Sequence, residues 1–435
     1  MPMEANSGDT PAKGDTVIVI VTNLDDDDFA VITDNLEFKE NVLFVSDKTS
    51  SGAYPIEKLN CILDDFSDLK STIARIREWG QDRRFVGIIG LDEEYHYAIT
   101  REVADAFKLE YYSKKTLDST SNKFLQRQLL YKSGVKVPKF QLFSGESPGV
   151  GFPNVLKVLT GYASIHNYLN HDLGELKKNL ETLKNEGSTN SKDLMFTPHV
   201  VEEAGVFDPA KSFILEEYIG GEEYSCDYLI DQQGAHVIRV AKKIIDPGNF
   251  GGFDGFYLHN PDAIASGFSL KELESLCTKI ANGLGIEFGV CMLDFKLFNG
   301  EFVVIETTVR PGIATFVKLM AEIYGDISMN KLIRQKLGIC LDLRIPSGAG
   351  LVAYFSTAKR GTVKRIDLSE LEKSKDSLGV ISADVYYYDG EPIFDTSTCK
   401  TPEKLLGHVL VRDVAYSDIN KKINEIRNLI RVEVV

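Results

Sequence analysis

The 435 residues contain no CxxC pair, no histidines at metal-ligand spacing and no internal repeat or low-complexity tract. The six cysteines, Cys61, Cys226, Cys277, Cys291, Cys340 and Cys399, are scattered. This excludes a zinc-ribbon pattern and a dense disulfide framework, and suits reduced thiols in a cytoplasm. Long apolar runs are also missing. Stretches such as VIVIV at 17–21 fall far short of the roughly 20 residues that span a bilayer. The opening MPMEANSGDTPAKGD has no apolar signal-peptide core and reads as a flexible tail over 1–15. Positive charge is in deficit, with 49 Lys and Arg against 64 Asp and Glu and a formal net charge of −15. A surface of that sign repels nucleic acid and anionic membrane, though it leaves room for a local basic pocket. The seven histidines sit in no Ser-His-Asp or Cys-His motif. The expected partners are therefore small molecules, and the expected location is the cytoplasm.

What is present is ordinary for a soluble globular protein, at 43% hydrophobic and 26% charged residues, in a chain long enough for two to four units. From 16 to about 112, strand-like runs (TVIVIVT, NVLFVSD, FVGIIGLDE) alternate with helical patterns such as LKSTIARIREWGQD. Continuous β-branched runs mark strands buried on both faces, and alternation with helices implies a parallel sheet. The unit is Rossmann-like, yet no GxGxxG follows its first strand. The acidic NLDDDDF stands there instead, hostile to a pyrophosphate, and Asp25–Asp28 read as a solvated loop or helix start. A helical stretch NKFLQRQLLYKSG follows, then the strand NVLKVLTGYAS and a very polar segment to about 210 with the composition of a mobile flap. IDPGNFGGFDGFY carries Gly248, Gly251, Gly252 and Gly255 and reads as a flexible loop. After about 346 the chain becomes strand-rich.

VCMLDFKLFNGEFVVIETT is two strands around Asn299-Gly300, the strongest short hairpin signal. Asp294 lies on one arm and Glu306 on the other, so the turn decides whether they meet. A two-residue turn places Asp294 opposite Ile305 and sends Glu306 to the other face. A three-residue loop puts Asp294, Glu306, Lys296, Thr308 and Met292 on one face. Carboxylates sharing a face call for a cation between them, and hard oxygens without His or Cys suit Mg2+ or Mn2+. The residues alone leave open a solvent-facing acidic pair.

The succession SNKFLQRQLLYKSGVKVPKF, NVLKVLTGYAS, FILEEYIGGEEYSCDYL, GVCMLDFKL and VVIETTVRPG resembles the ATP-grasp superfamily, and within it the carboxylate–amine ligases of the L-amino acid ligase type. The motifs cover about 110–345, and the domain order extends the likeness over the chain. The resemblance implies a multidomain α/β and α+β protein with an ATP-grasp fold. Its expected segments are a Rossmann-like domain (16–112), a linker helix and lid (113–216), a core with the metal site (217–345) and a small strand-rich C-terminal subdomain (346–435). It implies that Lys123 and Lys157 hold ATP phosphates, that Gly161–Ser164 form the small-residue loop over them, and that Glu216, Glu217, Tyr218 and Ile219 form the adenine linker. Glu217 and Glu222 read equally as a polar edge. Glu223 takes the ribose hydroxyls, Asp294 and Glu306 the metal, and Arg310 with Lys157 the transferred phosphoryl. Thr308 stands where the family carries Asn, which places a second metal ligand in doubt. Lys242, Tyr257 and His259, near the Gly-rich loop, are candidate substrate contacts. The implied reaction forms an amide from a small carboxylic or amino acid and an amine through an acylphosphate, with ATP and Mg2+ or Mn2+. The alternatives are a carboxylase-type enzyme activating bicarbonate, for which no biotin-attachment segment is evident, or a non-catalytic ATP-binding relative. Dimers are common among proteins of this kind, and no interface signature is visible.

Overall fold

The β-branched run at the start becomes strand β1 (Thr16–Thr22), with Val17 to Val21 buried in the computed structural model. The structure describes residues 16–22, 26–47, 60–91, 97–161, 165–189, 199–201, 205–245, 250, 252–259, 267–313, 315–393 and 404–435. They form two units, one of residues 1–117 with 326–343 and the other of 118–325 with 344–435.

In the first unit, β1, β2 (Val42–Asp47), β3 (Cys61–Asp64) and β4 (Arg84–Gly90) make a parallel sheet in the order β3-β2-β1-β4. Helices supply the β1–β2 and β3–β4 crossovers that parallel strands require. The second of them, Leu69–Trp79, begins where the Asp68 carboxylate accepts from the Ser71 amide. The acidic run leads into the helix Asp26–Asn35, in line with its helix-start reading. Asp25 and the side chains of Asp26–Asp28 lie outside the described residues.

The second unit carries the remaining strands. One antiparallel sheet runs β5 (Phe140–Phe143), β10 (Phe213–Glu217), β6 (Asn154–Val158), β7 (Tyr168–Asn170) in spatial order. A small hairpin pairs β8 (His199–Val201) with β9 (Gly205–Phe207). The largest sheet contains β11 (Glu222–Asp231), β12 (Gly234–Ile245), β13 (Phe253–Leu258), β14 (Gly289–Phe298), β15 (Glu301–Thr308), β16 (Gly350–Thr357), β18 (Val380–Val385) and β19 (Lys404–Arg412). Its order is β15-β14-β11-β12-β13-β16-β19-β18, so the strand-rich C-terminal segment continues the central sheet. A last pair, β17 (Val363–Asp367) with β20 (Arg431–Val434), packs beside a buried cluster around Leu371, Val409 and Ile426. Among the described residues no helix is long and apolar enough to cross a membrane.

The hairpin β14–β15 resolves the parity question in a way that neither loop-length alternative anticipated. Phe298 pairs with Glu301 across a two-residue turn, with φ of 52° at Asn299 and 76° at Gly300. Two positive φ values are what a type I′ hairpin requires. Asp294 nevertheless faces Glu306, because the register shifts between Asp294 and Phe295 and leaves Ile305 as an extra residue. The bulge does what the longer loop was expected to do. A Cβ at Gly300 would meet nothing within 4 Å. Gly300→Ala should therefore cost only backbone strain, about 1 kcal/mol in a denaturant melt.

Candidate active site

β15 is the edge strand of its sheet, and an edge leaves backbone groups to be satisfied by other means. The helix Lys123–Lys132 does this with side chains. Asn122 caps it, accepting from the amides of Phe124 and Leu125. Gln126 then accepts from the Thr307 amide at 3.0 Å and donates to the Thr307 carbonyl at 2.8 Å. Arg127 donates to the carbonyl of Ile305, the bulge residue. The helix thus holds the bulged strand in the register that turns Glu306 toward Asp294.

Glu306 meets Lys123, whose Nζ lies 2.7 Å from Oε1 and also donates to the Gly161 carbonyl at 2.7 Å. Burial would raise the Glu306 carboxyl, but Lys123 foremost, with Lys157 and Arg127, holds it below the usual value. Beside them lies a buried triad. Glu216 accepts from Lys157 at 2.5 Å and pairs with Arg127 at 2.6 Å, with the Arg127 and Glu216 side chains each 1% exposed. Burial works against the Glu216 charge, yet the two cations overcome it and bring the carboxyl down to about 2. A charge that deep is tolerable only when it is both paired and hydrogen-bonded.

Three neighbouring strands carry a second charged row. Lys243 on β12 lies opposite Glu223 on β11, and Asp294 on β14 lies opposite Ser225. Lys243 Nζ donates to Asp294 Oδ2 at 2.5 Å and to Glu223 Oε1 at 3.0 Å, while Lys296 Nζ stands 3.5 Å from Glu223 Oε2. Burial would lower the Lys243 ammonium, but Asp294 and Glu223 raise it. Asp294 is pushed up by burial and by the charges of Glu223 and Glu306, with Lys243 opposing.

These rows border a cleft of about 680 Å³, whose walls include Lys157, Glu216, Glu217, Tyr218, Ile219, Glu223 and Lys296. Tyr218 faces Phe250 with ring centres 6.2 Å apart, and the Lys296 ammonium sits 5.3 Å from the Tyr218 ring centre. The volume lies in the range of small-molecule and cofactor sites, and a flat base would find aromatic walls here. The donor set suits a hard cation: Asp294 Oδ1 and Thr308 Oγ1 are buried and make no hydrogen bond within the described residues. Two carboxylates with phosphate oxygens make a typical magnesium set. Among the described residues no group of three His, Cys, Asp or Glu side chains forms a metal cluster, so protein ligands alone would be few.

Not every residue singled out from the sequence lines this cleft: Lys123, Gly161, Asp294, Glu306 and Thr308 are not part of its walls, although Lys123, Asp294 and Glu306 belong to the charged rows beside it. Arg310 is buried just past β15 and donates to the Pro311 carbonyl at 3.2 Å. Ser164 lies outside the described residues, whereas Gly161 is placed against Lys123. Lys242 points to the opposite face of β12 from Lys243, where it meets Glu222 and the Tyr416 hydroxyl, the latter at 2.6 Å. His259 is 1% exposed and packs on Tyr257 and Tyr416, with ring centres 5.0 and 5.4 Å away. Burial, together with the Lys242 charge, lowers its imidazole to about 4 and leaves it neutral at pH 7.

Several residues of the arrangement are given no role from the sequence. Lys243 lies in none of the quoted motifs, and Gln126 and Arg127 lie within SNKFLQRQLLYKSGVKVPKF without an assigned role. Arg239 and Asp227 form a fully buried ion pair at 2.6 Å. Asp227 Oδ1 also accepts from the Gly312 amide at 3.0 Å, and the Arg239 guanidinium lies 4.0 Å from the Phe316 ring centre. This anchors the segment that follows Arg310. A cation among apolar neighbours, the signal that singled out Lys157 in NVLKV, is equally present in VIRVA around Arg239. A Cβ at Gly312 would come within 2.9 Å of Arg239 Nη2 and 3.2 Å of Asp227 Oδ1. Gly312→Ala should destabilise the protein by about 1–3 kcal/mol in a denaturant melt, since neither partner can move without uncovering a charge.

Residues 150–314 match the family model of the ATP-grasp domain. No curated protein matches the sequence. Among solved structures, the chain is similar to the L-amino acid ligase from Bacillus licheniformis, with a TM-score of 0.75 at 17% identity over 97% of this chain and 99% of that one. It is similar to N5-carboxyaminoimidazole ribonucleotide synthetase from Thermotoga maritima, with a TM-score of 0.64 at 16% identity over 97% and 100%. It also resembles the biotin carboxylase domain of the Hydrogenobacter thermophilus 2-oxoglutarate carboxylase, crystallised with MgADP and bicarbonate, with a TM-score of 0.64 at 14% identity over 96% and 91%. At these identities the likeness establishes the fold, which is ATP-grasp.

Proposed function

We propose that this ATP-grasp protein is an ATP-dependent carboxylate–amine ligase, activating a small carboxylic or amino acid and coupling it to an amine. The observation that carries the reading is the pairing of Asp294 with Glu306 across a bulge, beside a cleft lined by Lys157 and Glu223. That arrangement supports a phosphate-and-metal site more readily than an exposed acidic hairpin, because both carboxylates are turned inward to lysines. ATP would lie with its base against Tyr218 and Ile219, its ribose at Glu223 and its phosphates toward Lys157, Lys123 and Gly161. Magnesium, held by Asp294 and Glu306, would neutralise charge on the phosphates; Thr308 has one hydroxyl to add to that set.

In the first half-reaction the substrate carboxylate attacks the γ-phosphorus, giving an acylphosphate and ADP. The amine then attacks the acyl carbon and releases phosphate. Lys157, Lys123 and Arg310 act by placing positive charge where the transferring phosphoryl and the acylphosphate develop negative charge. We assign the exclusion of water from the acylphosphate to residues within 150–210 and 247–255, of which 162–164, 190–198, 202–204, 247–249 and 251 lie outside the described residues and 253–255 begin β13.

The deciding experiment is ADP release from Mg-ATP across a panel of amino acids and amines. Release that requires both a carboxylate and an amine sustains the ligase. Release with bicarbonate in place of the organic acid would move the chain to the carboxylase-type reading, and tight ATP binding without turnover to a binding protein. Replacing Mg2+ by Mn2+ in the same assay identifies the working metal.

A further inference from the structure

Each carboxylate assigned to the metal already carries a lysine. Glu306 is paired with Lys123, and Asp294 with Lys243. The two lysines differ in their surroundings. Lys123 is shared with the Gly161 carbonyl, on the segment assigned to the phosphates, so its second partner is a neutral backbone oxygen. Lys243 is shared between two carboxylates, Asp294 on the metal side and Glu223 on the ribose side. Its side chain is 10% exposed and those of its partners 16% and 15%, so water screens the contact little. Counting the row with its neighbour, Glu223, Asp294 and Glu306 contribute three negative charges and Lys243, Lys296 and Lys123 three positive ones. Those six side chains sum to zero charge before any ligand arrives. Asp294 keeps one buried oxygen, Oδ1, without a hydrogen bond within the described residues.

A divalent cation that reached Asp294 alone would stand beside the Lys243 ammonium with no surplus negative charge to offset the repulsion. It would also have to give up tightly held water. The same cation carried on a nucleotide brings its own compensating phosphates. Those phosphates also offer Lys123 an acceptor other than Glu306, releasing that carboxylate. On the reading of this cleft as an ATP site, we propose that Lys243 is a positioning residue that ties the ribose acid Glu223 to the metal acid Asp294 and makes metal capture depend on nucleotide. The site then takes metal and nucleotide together, and holds free divalent ions poorly.

The test is metal binding in the absence of turnover. Mn2+ alone is titrated into the wild type, Lys243→Met and Lys243→Arg, followed by electron paramagnetic resonance. ADP is then titrated calorimetrically with Mg2+ and with chelator. Lys243→Met keeps most of the aliphatic stem and removes the charge, so Mn2+ alone is expected to bind at least ten-fold tighter than in the wild type. The factor by which Mg2+ strengthens ADP binding should shrink correspondingly, since the coupling is reciprocal. Lys243→Arg should return both quantities toward wild type. A merely structural lysine would leave metal affinity unchanged or weaken it on removal, and that outcome in a cooperatively melting Lys243→Met overturns the proposal. If Lys243→Met does not fold, the wild type decides: Mn2+ bound as tightly without ADP as with it overturns the proposal, and at least a ten-fold gap sustains it. A wild type that binds no Mg-ADP at all removes the ATP-site reading and this inference with it. Intact Mg-ADP binding with failed coupling removes this inference alone.

Discussion

Glu306→Gln and Arg310→Ala are expected to lower turnover by at least about 10³-fold each while leaving the fold intact, because each removes charge stabilisation that the reacting phosphoryl group cannot obtain elsewhere. Glu306→Gln preserves the shape that packs against Lys123 and removes the charge opposite Asp294. Gln126 and Arg127 hold the strand through its backbone, so its register should survive the substitution. Arg310 donates to the Pro311 carbonyl, while the Gly312 amide and Asp227 anchor the same segment independently. Both variants should still unfold cooperatively, so that the loss of turnover is read on folded protein. Near-normal ADP release in either variant, measured with acid and amine present, would sink the role assigned to that residue.

The second large effect is on stability. Glu216→Gln should destabilise the protein by roughly 3–5 kcal/mol, since it leaves Arg127 and Lys157 buried without their shared counter-charge. Equilibrium urea unfolding read by fluorescence would measure it, and a loss below about 1 kcal/mol would mean that water or another anion reaches the pair. The same triad has a pH signature. The folded carboxyl sits at about 2, below its ordinary 4.5, so the folded state favours the charged form. That contribution is complete above about pH 4.5 and is lost as pH falls toward 2. Acid unfolding of wild type should therefore steepen within that window, and the Glu216→Gln variant should lack this component.

The elements that could be read without coordinates are those governed by local pattern. TVIVIVT had to be a strand buried on both faces, because no helix or edge accommodates a continuous β-branched run so well. Asn299-Gly300 had to be a tight hairpin, because positive φ at both positions is cheap only for such residues. The succession of motifs from 121 to 312 placed the fold, and Lys157, Glu216, Tyr218, Ile219 and Glu223 do line one cleft. The side-chain partners were not legible. Lys243 reaches Asp294 from 51 residues away, and Arg127 reaches Ile305 from 178 away. Contacts at such separations depend on strand order and register, and a single sequence states neither.

The opposition of Asp294 and Glu306 marks the boundary between what the chain's pattern determines and what its folding decides. The sequence by itself determined that two carboxylates stand on the two arms of a hairpin, since turn chemistry and alternation are local. Only the tertiary structure decided that they face each other. The turn has the length that should have separated them, and the extra residue Ile305 reverses the parity. Gln126 and Arg127 support that bulge from a helix remote in sequence, by satisfying the strand's edge. A bulge left to itself would forfeit backbone hydrogen bonds, and its stability depends on the groups that the rest of the fold brings to it.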